Sequence, residues 1–438
     1  MTRTGKVLAD LRTGSWITRE RVRLWALAIL VASLAGIGFL LATSDGLNDY
    51  QGRPLGTDFS DIYAGGTYAL DGTPALAFDP PLQHAREQAI FGPATPFYGW
   101  CYPPFLLFVS AVLALMPYPT ALAAWQGATL LMYLGMLRAL LGSVKTRPED
   151  GAGALARDPL LLLLAVASPA VFINVGHGHN GFLTATLIGL ALVSLDRRPI
   201  LAGVLFGLLS YKPQFGVMIP LVLIASTRWR AFTSAAATVL ALVIVTTLAF
   251  GADIWQAFVD SMPFTREVVL EQGGTGWYKL QTLFSWVRMW GGSVHLAYAI
   301  QGAVTVTLAG ALAWLWRSDA AFPLKAAALI IASIMATPYS LDYDFVALAP
   351  AIAFLAADGL ARGFSPWEKT ALALLWLMPL GARTVAEATL VPLGVPAMAL
   401  VLGLVLKRAA SDLARRERSR PPGARAFGRA AGELGRFR

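Results

Sequence analysis

Four clusters of polar residues interrupt an otherwise apolar chain of 438 residues. The first, Thr57-Asp58-Phe59-Ser60-Asp61, follows the first long apolar run by about fifteen residues. A carboxylate near a bilayer face can act as a general base, taking the proton from an attacking hydroxyl. The same spacing fits plain helix capping by Thr57 or Asp58, ahead of an amphipathic helix over 59–70 with a solvated Asp61. The second cluster, Gly176-His177-Gly178-His179-Asn180-Gly181, sets imidazole and amide donors on a glycine-rich turn. Such a turn suits hydrogen bonding to a phosphate or a sugar, or serves simply as a polar turn. Two histidines with no nearby Cys, Asp or Glu fall short of a zinc set, so no metal ligand is assigned. No cofactor is expected, and a divalent ion held by the outer-face carboxylates is left open.

The third cluster is Tyr211-Lys212-Pro213-Gln214, with about ten apolar residues on either side of Lys212. A lysine at membrane depth is expensive unless it snorkels or meets an anion, and a phosphate is the natural anion there. The fourth is Ala336-Thr337-Pro338-Tyr339-Ser340-Leu341-Asp342-Tyr343-Asp344, two tyrosines and two carboxylates within six residues. Capping by Ser340 or Asp342 is its plainer reading. Two further stretches carry chemistry-bearing groups. Phe97-Tyr98-Gly99-Trp100-Cys101-Tyr102 reads as an interfacial aromatic belt or as a stacking wall for a sugar. Residues 251–294 add Arg266, Glu267, Glu271, Trp277, Tyr278 and Lys279, and their Gln272-Gly273-Gly274-Thr275-Gly276 lacks the lysine and spacing of a P-loop.

These clusters need a scaffold, and the composition specifies its kind. The chain is 56% hydrophobic and only 14% charged, against about 25% charged in ordinary soluble domains. Soluble, disordered and disulfide-framework classes are poor fits, and the single cysteine, Cys101, excludes an intramolecular disulfide. Apolar runs long enough to cross a bilayer recur along the chain. The expected fold is all-α and polytopic, with about 10–13 membrane segments near 24–43, 104–117, 120–141, 159–175, 182–196, 200–211, 214–226, 232–250, 295–316, 322–337, 343–357, 367–381 and 389–406. The first follows a 23-residue basic leader and reads as a retained anchor rather than a cleaved signal.

The net charge of +9 is concentrated at the ends: residues 1–23 carry +4 and residues 407–438 carry +7, leaving −2 between them. Basic tails flanking apolar spans place both termini in the cytoplasm by the positive-inside rule. The tail residues Lys407, Arg408, Arg415, Arg416, Arg418 and Arg420 are expected to meet anionic lipid. Nucleic-acid binding is not expected, because no stacking aromatics interleave with these basic residues. The resulting organisation is a basic cytoplasmic segment 1–23, one integral membrane domain 24–406 with outer loops 44–103 and 251–294, and a disordered basic tail 407–438.

Short basic loops (Lys145/Arg147/Arg157, Arg197/Arg198, Arg228/Arg230, Arg317/Lys325, Arg362/Lys369) then assign 176–181, 251–294, 338–344 and 382–389 to the same outer side as 44–103. Two full spans within 104–141 would conflict with this, so one of them should be short or re-entrant. Arg197/Arg198 and Arg228/Arg230 want one side although only about 29 residues separate them. Two half-length helices meeting at 211–214 satisfy both, with Pro213 breaking the helix at Lys212.

The ordered set of motifs resembles glycosyltransferase family 87, the polyprenol-phosphate-mannose-dependent mannosyltransferase-like group with a GT-C fold. The resemblance rests on Thr57-Asp58-Phe59 with Tyr63 and Gly65; Tyr102-Pro103-Pro104 with Pro117; Gly176 to Gly181 followed by Arg197 to Gln214; and Ala336-Thr337-Pro338-Tyr339 with Tyr343-Asp344. It covers about residues 24–357. It implies an inverting transferase of the bacterial inner membrane, moving mannose or a similar sugar from a polyprenyl-phosphate donor to a glycolipid or glycan hydroxyl outside the cytoplasm. Asp58 matches the family's first-loop aspartate, the implied catalytic base. Lys212 matches the lysine of its Lys-Pro break, implied to steady the donor phosphate. His177, His179, Asn180, Tyr63, Tyr102, Tyr339, Asp342, Tyr343 and Asp344 complete the expected substrate-binding set. One departure is His179, which stands where the family's turn carries glutamine. The rival reading is a lipid or solute transporter with a midplane lysine site.

Overall fold

The computed structural model describes residues 2–144 and 153–419. Lys145 and Arg147 of the first basic loop, and residues 420–438 of the tail, lie outside them. The described residues are helical throughout, with isolated bridges and no strand. Among the described residues six helices are long and apolar enough to cross a membrane, or eight if two bent pairs each count as one span. Five further apolar helices of 10–17 residues accompany them, including Pro104–Ala114 and Gly181–Ser194. The expected segments are therefore present as helices, but several are too short to cross alone. Proline sets many of the starts: Pro80, Pro159, Pro169, Pro199 and Pro213 each open a helix, where a missing N–H costs nothing.

The centre is the Phe322–Met335 helix, whose residues from Ala326 to Met335 are all buried. A stretch buried on all its faces belongs inside a bundle rather than against lipid. By contrast Arg19–Ala42 and Trp229–Phe250 are apolar but largely uncovered, as lipid-facing helices are. Trp229–Phe250 lies close against Pro199–Leu208 because Gly203 and Gly207 face Ala231, Ser234 and Thr238. A Cβ at Gly203 would stand 2.4 Å from the Ala231 carbonyl oxygen. Small residues allow this close approach in membrane helices.

The break at Lys212 forms as the proline predicts. Helix Pro199–Leu208 tightens into a 3₁₀ turn over Leu209–Tyr211, and the chain leaves helical geometry at Lys212 (φ −123°, ψ 76°) before restarting at Pro213. Arg228 bonds Asp196 at 2.6 Å, so the two basic pairs do share one side. Within 104–141 it is the first segment that is short, an apolar piece spanning Pro104–Ala114.

Opposite the long loops, ion pairs clasp the helix ends. Arg408 reaches Glu368 at 2.5 Å and Asp358 at 3.1 Å, while Arg362 forks Asp358 and bonds Asp412. Two expectations are corrected here. The last helix, Gly394–Ser419, runs well past residue 406, so the first part of the tail is ordered. Arg408 is sealed between two carboxylates rather than turned toward lipid, because among the described residues it alone matches Glu368 inside the bundle while sharing Asp358 with Arg362. The segment before the first span also forms a helix, Arg3–Thr13, capped by Thr2.

Candidate functional site

The four polar clusters meet at the end of the bundle that carries the long loops. The Thr57–Leu70 helix is entered through Gly56, whose left-handed conformation (φ 68°) takes the capping position without any side-chain bond. Neither Thr57 nor Asp58 caps it, contrary to the simpler reading. Asp58 sits in the first turn, where the helix dipole favours a negative charge. Its Oδ2 is buried and without a hydrogen-bond partner, and its Oδ1 lies 3.8 Å from His177 Nδ1. Asp61 is not solvated but buried, one turn on, against the Pro80–Phe91 helix. There Gln83 donates to its backbone carbonyl, and burial beside Glu87 and Asp58 pushes its carboxyl well above the ordinary range.

The histidine turn is held from below. Gly178 takes φ 61°, and a Cβ there would lie 2.6 Å from Phe59 Cβ, so the turn lies directly against the start of the Asp58 helix. Trp125 donates to the Gly178 carbonyl and Gln126 to that of His179, while Asn174 joins Gln126 to the Gly181 N–H. The two histidines then point to different neighbours. His177 Nδ1 is 2.7 Å from Thr57 Oγ1, and its Nε2 is 3.4 Å from Arg383 Nη2. A guanidinium only donates, so Nε2 accepts and the ring proton sits on Nδ1, toward Thr57 and Asp58. His179 lies 3.8 Å from the Tyr343 ring, ring centre to ring centre, and its Nε2 accepts from Lys212 at 3.2 Å. That leaves its proton on Nδ1, which has no partner.

Lys212 does not snorkel. Its Nζ lies 2.6 Å from Asp344 Oδ1, and Asp344 Oδ2 accepts the Leu341 N–H. The lysine is thus matched by a carboxylate of the protein itself. In the same segment, Asp342 is forked by Arg383 at 2.9 and 2.8 Å. Neither Ser340 nor Asp342 is the residue that caps the turn starting at Asp342, since Asp344 closes that role from inside it. Asp58, His177 and Arg383 are 21, 25 and 33% exposed, whereas Lys212 and Asp344 are 4 and 2% exposed. The site therefore has a wet mouth and a sealed floor.

Of the expected residues, Asp58, His177, His179, Lys212, Asp342, Tyr343 and Asp344 form one continuous set. Asn180 is fully buried behind it; its carbonyl accepts from Tyr211, and neither atom of its side-chain amide has a partner. The other three lie to the side. Tyr63 bonds the Met116 carbonyl and packs edge-on against Tyr118. Tyr102 lies between Trp100 and Tyr211. Tyr339 joins the apolar cluster of Leu280, Phe284 and Leu341. Trp100 is buried beneath Gly65, while Phe97, Tyr98 and Tyr102 are half-buried. Among the described residues no group of three or more His, Cys, Asp or Glu is placed to hold a metal ion.

Three contributors went unassigned in the sequence. Gln126 was one amide inside an apolar span. Gln281 donates to the Ala382 carbonyl and accepts from Gly394, tying 251–294 to the C-terminal helices. Arg383 had the clearest signal, since an arginine on the side where basic residues are sparse requires a local reason. Compared with sequence models of known families, the chain matches glycosyltransferase family 87 over residues 100–338, just over half its length. Asp58, Asp342, Asp344 and Arg383 lie outside the matched stretch. No curated protein and no solved structure matches the chain. On the family match, set in an all-α polytopic scaffold, this chain belongs to glycosyltransferase family 87 and is a membrane-embedded glycosyltransferase acting between a sugar donor and an acceptor.

Proposed function

We propose that the protein moves a hexose, mannose or a close relative, from a polyprenyl-phosphate donor to a hydroxyl of a glycolipid or glycan acceptor, with inversion at the anomeric carbon. Asp58 takes the proton of the acceptor hydroxyl as its oxygen attacks. The bond from the anomeric carbon to the phosphate oxygen breaks, and its electron pair leaves with the lipid phosphate. Phosphate is already a good leaving group, so the scheme needs no general acid. The His177 side of the mouth faces the developing charge. Lys212 retains one N–H beyond Asp344 and His179, and we assign it to the donor phosphate. Basic ends and acidic loops favour an inner-membrane protein with both termini in the cytoplasm and the reaction outside it.

One observation carries this reading. Asp58 Oδ2 is buried without a partner at the mouth, and His179 Nδ1 and both ends of the Asn180 amide are unpartnered deeper in the floor. Each such atom costs about 1–3 kcal/mol when left unsatisfied, and the hydroxyl of a bound acceptor at the mouth would satisfy Asp58 Oδ2. The test is sugar transfer from a radiolabelled polyprenyl-phosphate donor in vesicles, comparing wild type with Asp58→Asn. Transfer should fall by about 10²–10⁴-fold, with the variant still folded in the membrane. Normal turnover by the variant refutes the base assignment, and label crossing the vesicle intact identifies a transporter instead.

A further inference from the structure

The turn Trp277–Lys279 lies at the same mouth, and its backbone is held on both sides. Lys279 N–H bonds the Gly276 carbonyl, and the Trp277 indole donates to the Leu270 carbonyl. Immediately after it, Leu280 bridges Leu341, the Gln281 N–H donates to the Ser340 carbonyl, and the Gln281 amide reaches the Ala382 carbonyl. Lys279 is thereby fixed within two residues of the contacts to both segments that carry Asp342 and Arg383.

Most other cations of this region meet a carboxylate, and Arg288, over the Trp277 ring, is held by the Gly292 and Glu271 backbone carbonyls instead. Arg383 is forked by Asp342, Arg53 by Asp49 and Lys212 by Asp344. Among the described residues Lys279 has no carboxylate within ion-pair distance, and its nearest π face is the adjoining Tyr278 ring at 5.8 Å. It is nevertheless half-buried. Burial and the nearby Arg383 charge push its ammonium below the ordinary lysine range, while Asp58 and Asp342 pull it up. An unmatched cation on a fixed backbone, partly withdrawn from water, is what an anion site requires before its ligand arrives.

Building on the transfer reading above, we infer that Lys279 is a binding residue for a phosphate group carried by a substrate. It is reached from the mouth, separately from the buried Lys212. A phosphate could come from the lipid donor or from a phosphodiester in the acceptor, and the kinetics distinguish the two.

The experiment uses the full chain in nanodiscs, with steady-state transfer measured by varying donor and acceptor separately. Binding of sugar-free polyprenyl phosphate is measured alongside. In Lys279→Gln the KM of one substrate should rise by about 10- to 100-fold, with the other KM and kcat nearly unchanged, and Lys279→Arg should restore most of the loss. A rise in donor KM with lost polyprenyl-phosphate binding identifies the donor phosphate. A rise in acceptor KM with that binding retained identifies an acceptor phosphate. Unchanged KM values and binding overturn the inference, as do a parallel rise in both KM values and lowered thermal stability that arginine fails to rescue. If wild type binds polyprenyl phosphate, loses it in Lys279→Gln and transfers no sugar, the transfer reading fails and the Lys279 site stands.

Discussion

Lys212 and Asp344, 132 positions apart in sequence, meet at 2.6 Å with both side chains nearly sealed from solvent. The pair joins the broken helix to the loop that carries Tyr343, and so keeps His179 in place. Removing one partner of a buried pair leaves an unmatched charge, at a cost of about 3–5 kcal/mol. Lys212→Met and Asp344→Leu should each lower the thermal unfolding midpoint sharply in detergent. The double variant should lose less than the sum of the two. Additive losses would show that the two groups do not act as a pair.

Arg383 offers a separate test, because its planar fork serves Asp342 while one nitrogen faces His177. Lysine cannot reproduce that geometry. Arg383→Lys should lower kcat by about 10- to 100-fold through misplacement of His177, with little change in unfolding midpoint. An unchanged kcat would remove Arg383 from the machinery.

Gly178 is constrained twice, by its positive φ and by Phe59 at its Cβ position. A left-handed alanine costs about 1–2 kcal/mol by itself, and the contact at 2.6 Å must open as well. Gly178→Ala should therefore lower both stability and transfer, whereas Gly176→Ala, which meets open space, should leave stability nearly unchanged. Equal stability losses at the two positions would contradict this account of the turn.

Glu87 gives the protein a pH dependence of definite sign. It is fully buried, accepts the N–H groups of Tyr98 and Gly99, and burial raises its carboxyl from 4.5 to about 7. Between those values the folded chain holds a proton that the unfolded chain has released. Stability is then greatest at the acid end and falls by roughly 3 kcal/mol as pH rises through that window. Asp61, raised by the same burial, adds in the same direction. Glu87→Gln should flatten the unfolding midpoint between pH 4.5 and 7, and a wild-type midpoint that climbs across that range would contradict the assignment.

What the sequence disclosed, and what it withheld, follows from the physics at each position. Pro213 and the two flanking arginine pairs constrain the backbone locally, so the break at Lys212 was legible. The gathering of 44–103, 176–181, 251–294, 338–344 and 382–389 was also legible, because sidedness is encoded in loop charge. The capping of the first-loop helix was misjudged because Thr57 and Asp58 are both good caps, and only the backbone shows Gly56 taking that place. Asp61 was misplaced because its polar face meets Gln83 and Glu87 rather than water, a tertiary fact with no local signature. The partner of Lys212 was invisible for the same reason: two aspartates two residues apart, both buried, give no hint which one meets the lysine.

The clasp around Arg408 has a practical consequence for anyone shortening or tagging this chain. A truncation upstream of Arg408 would strand Glu368 without its cation, between three helices, and leave Asp358 to Arg362 alone. Expression vectors should keep every residue through Ser419 and attach purification handles beyond it.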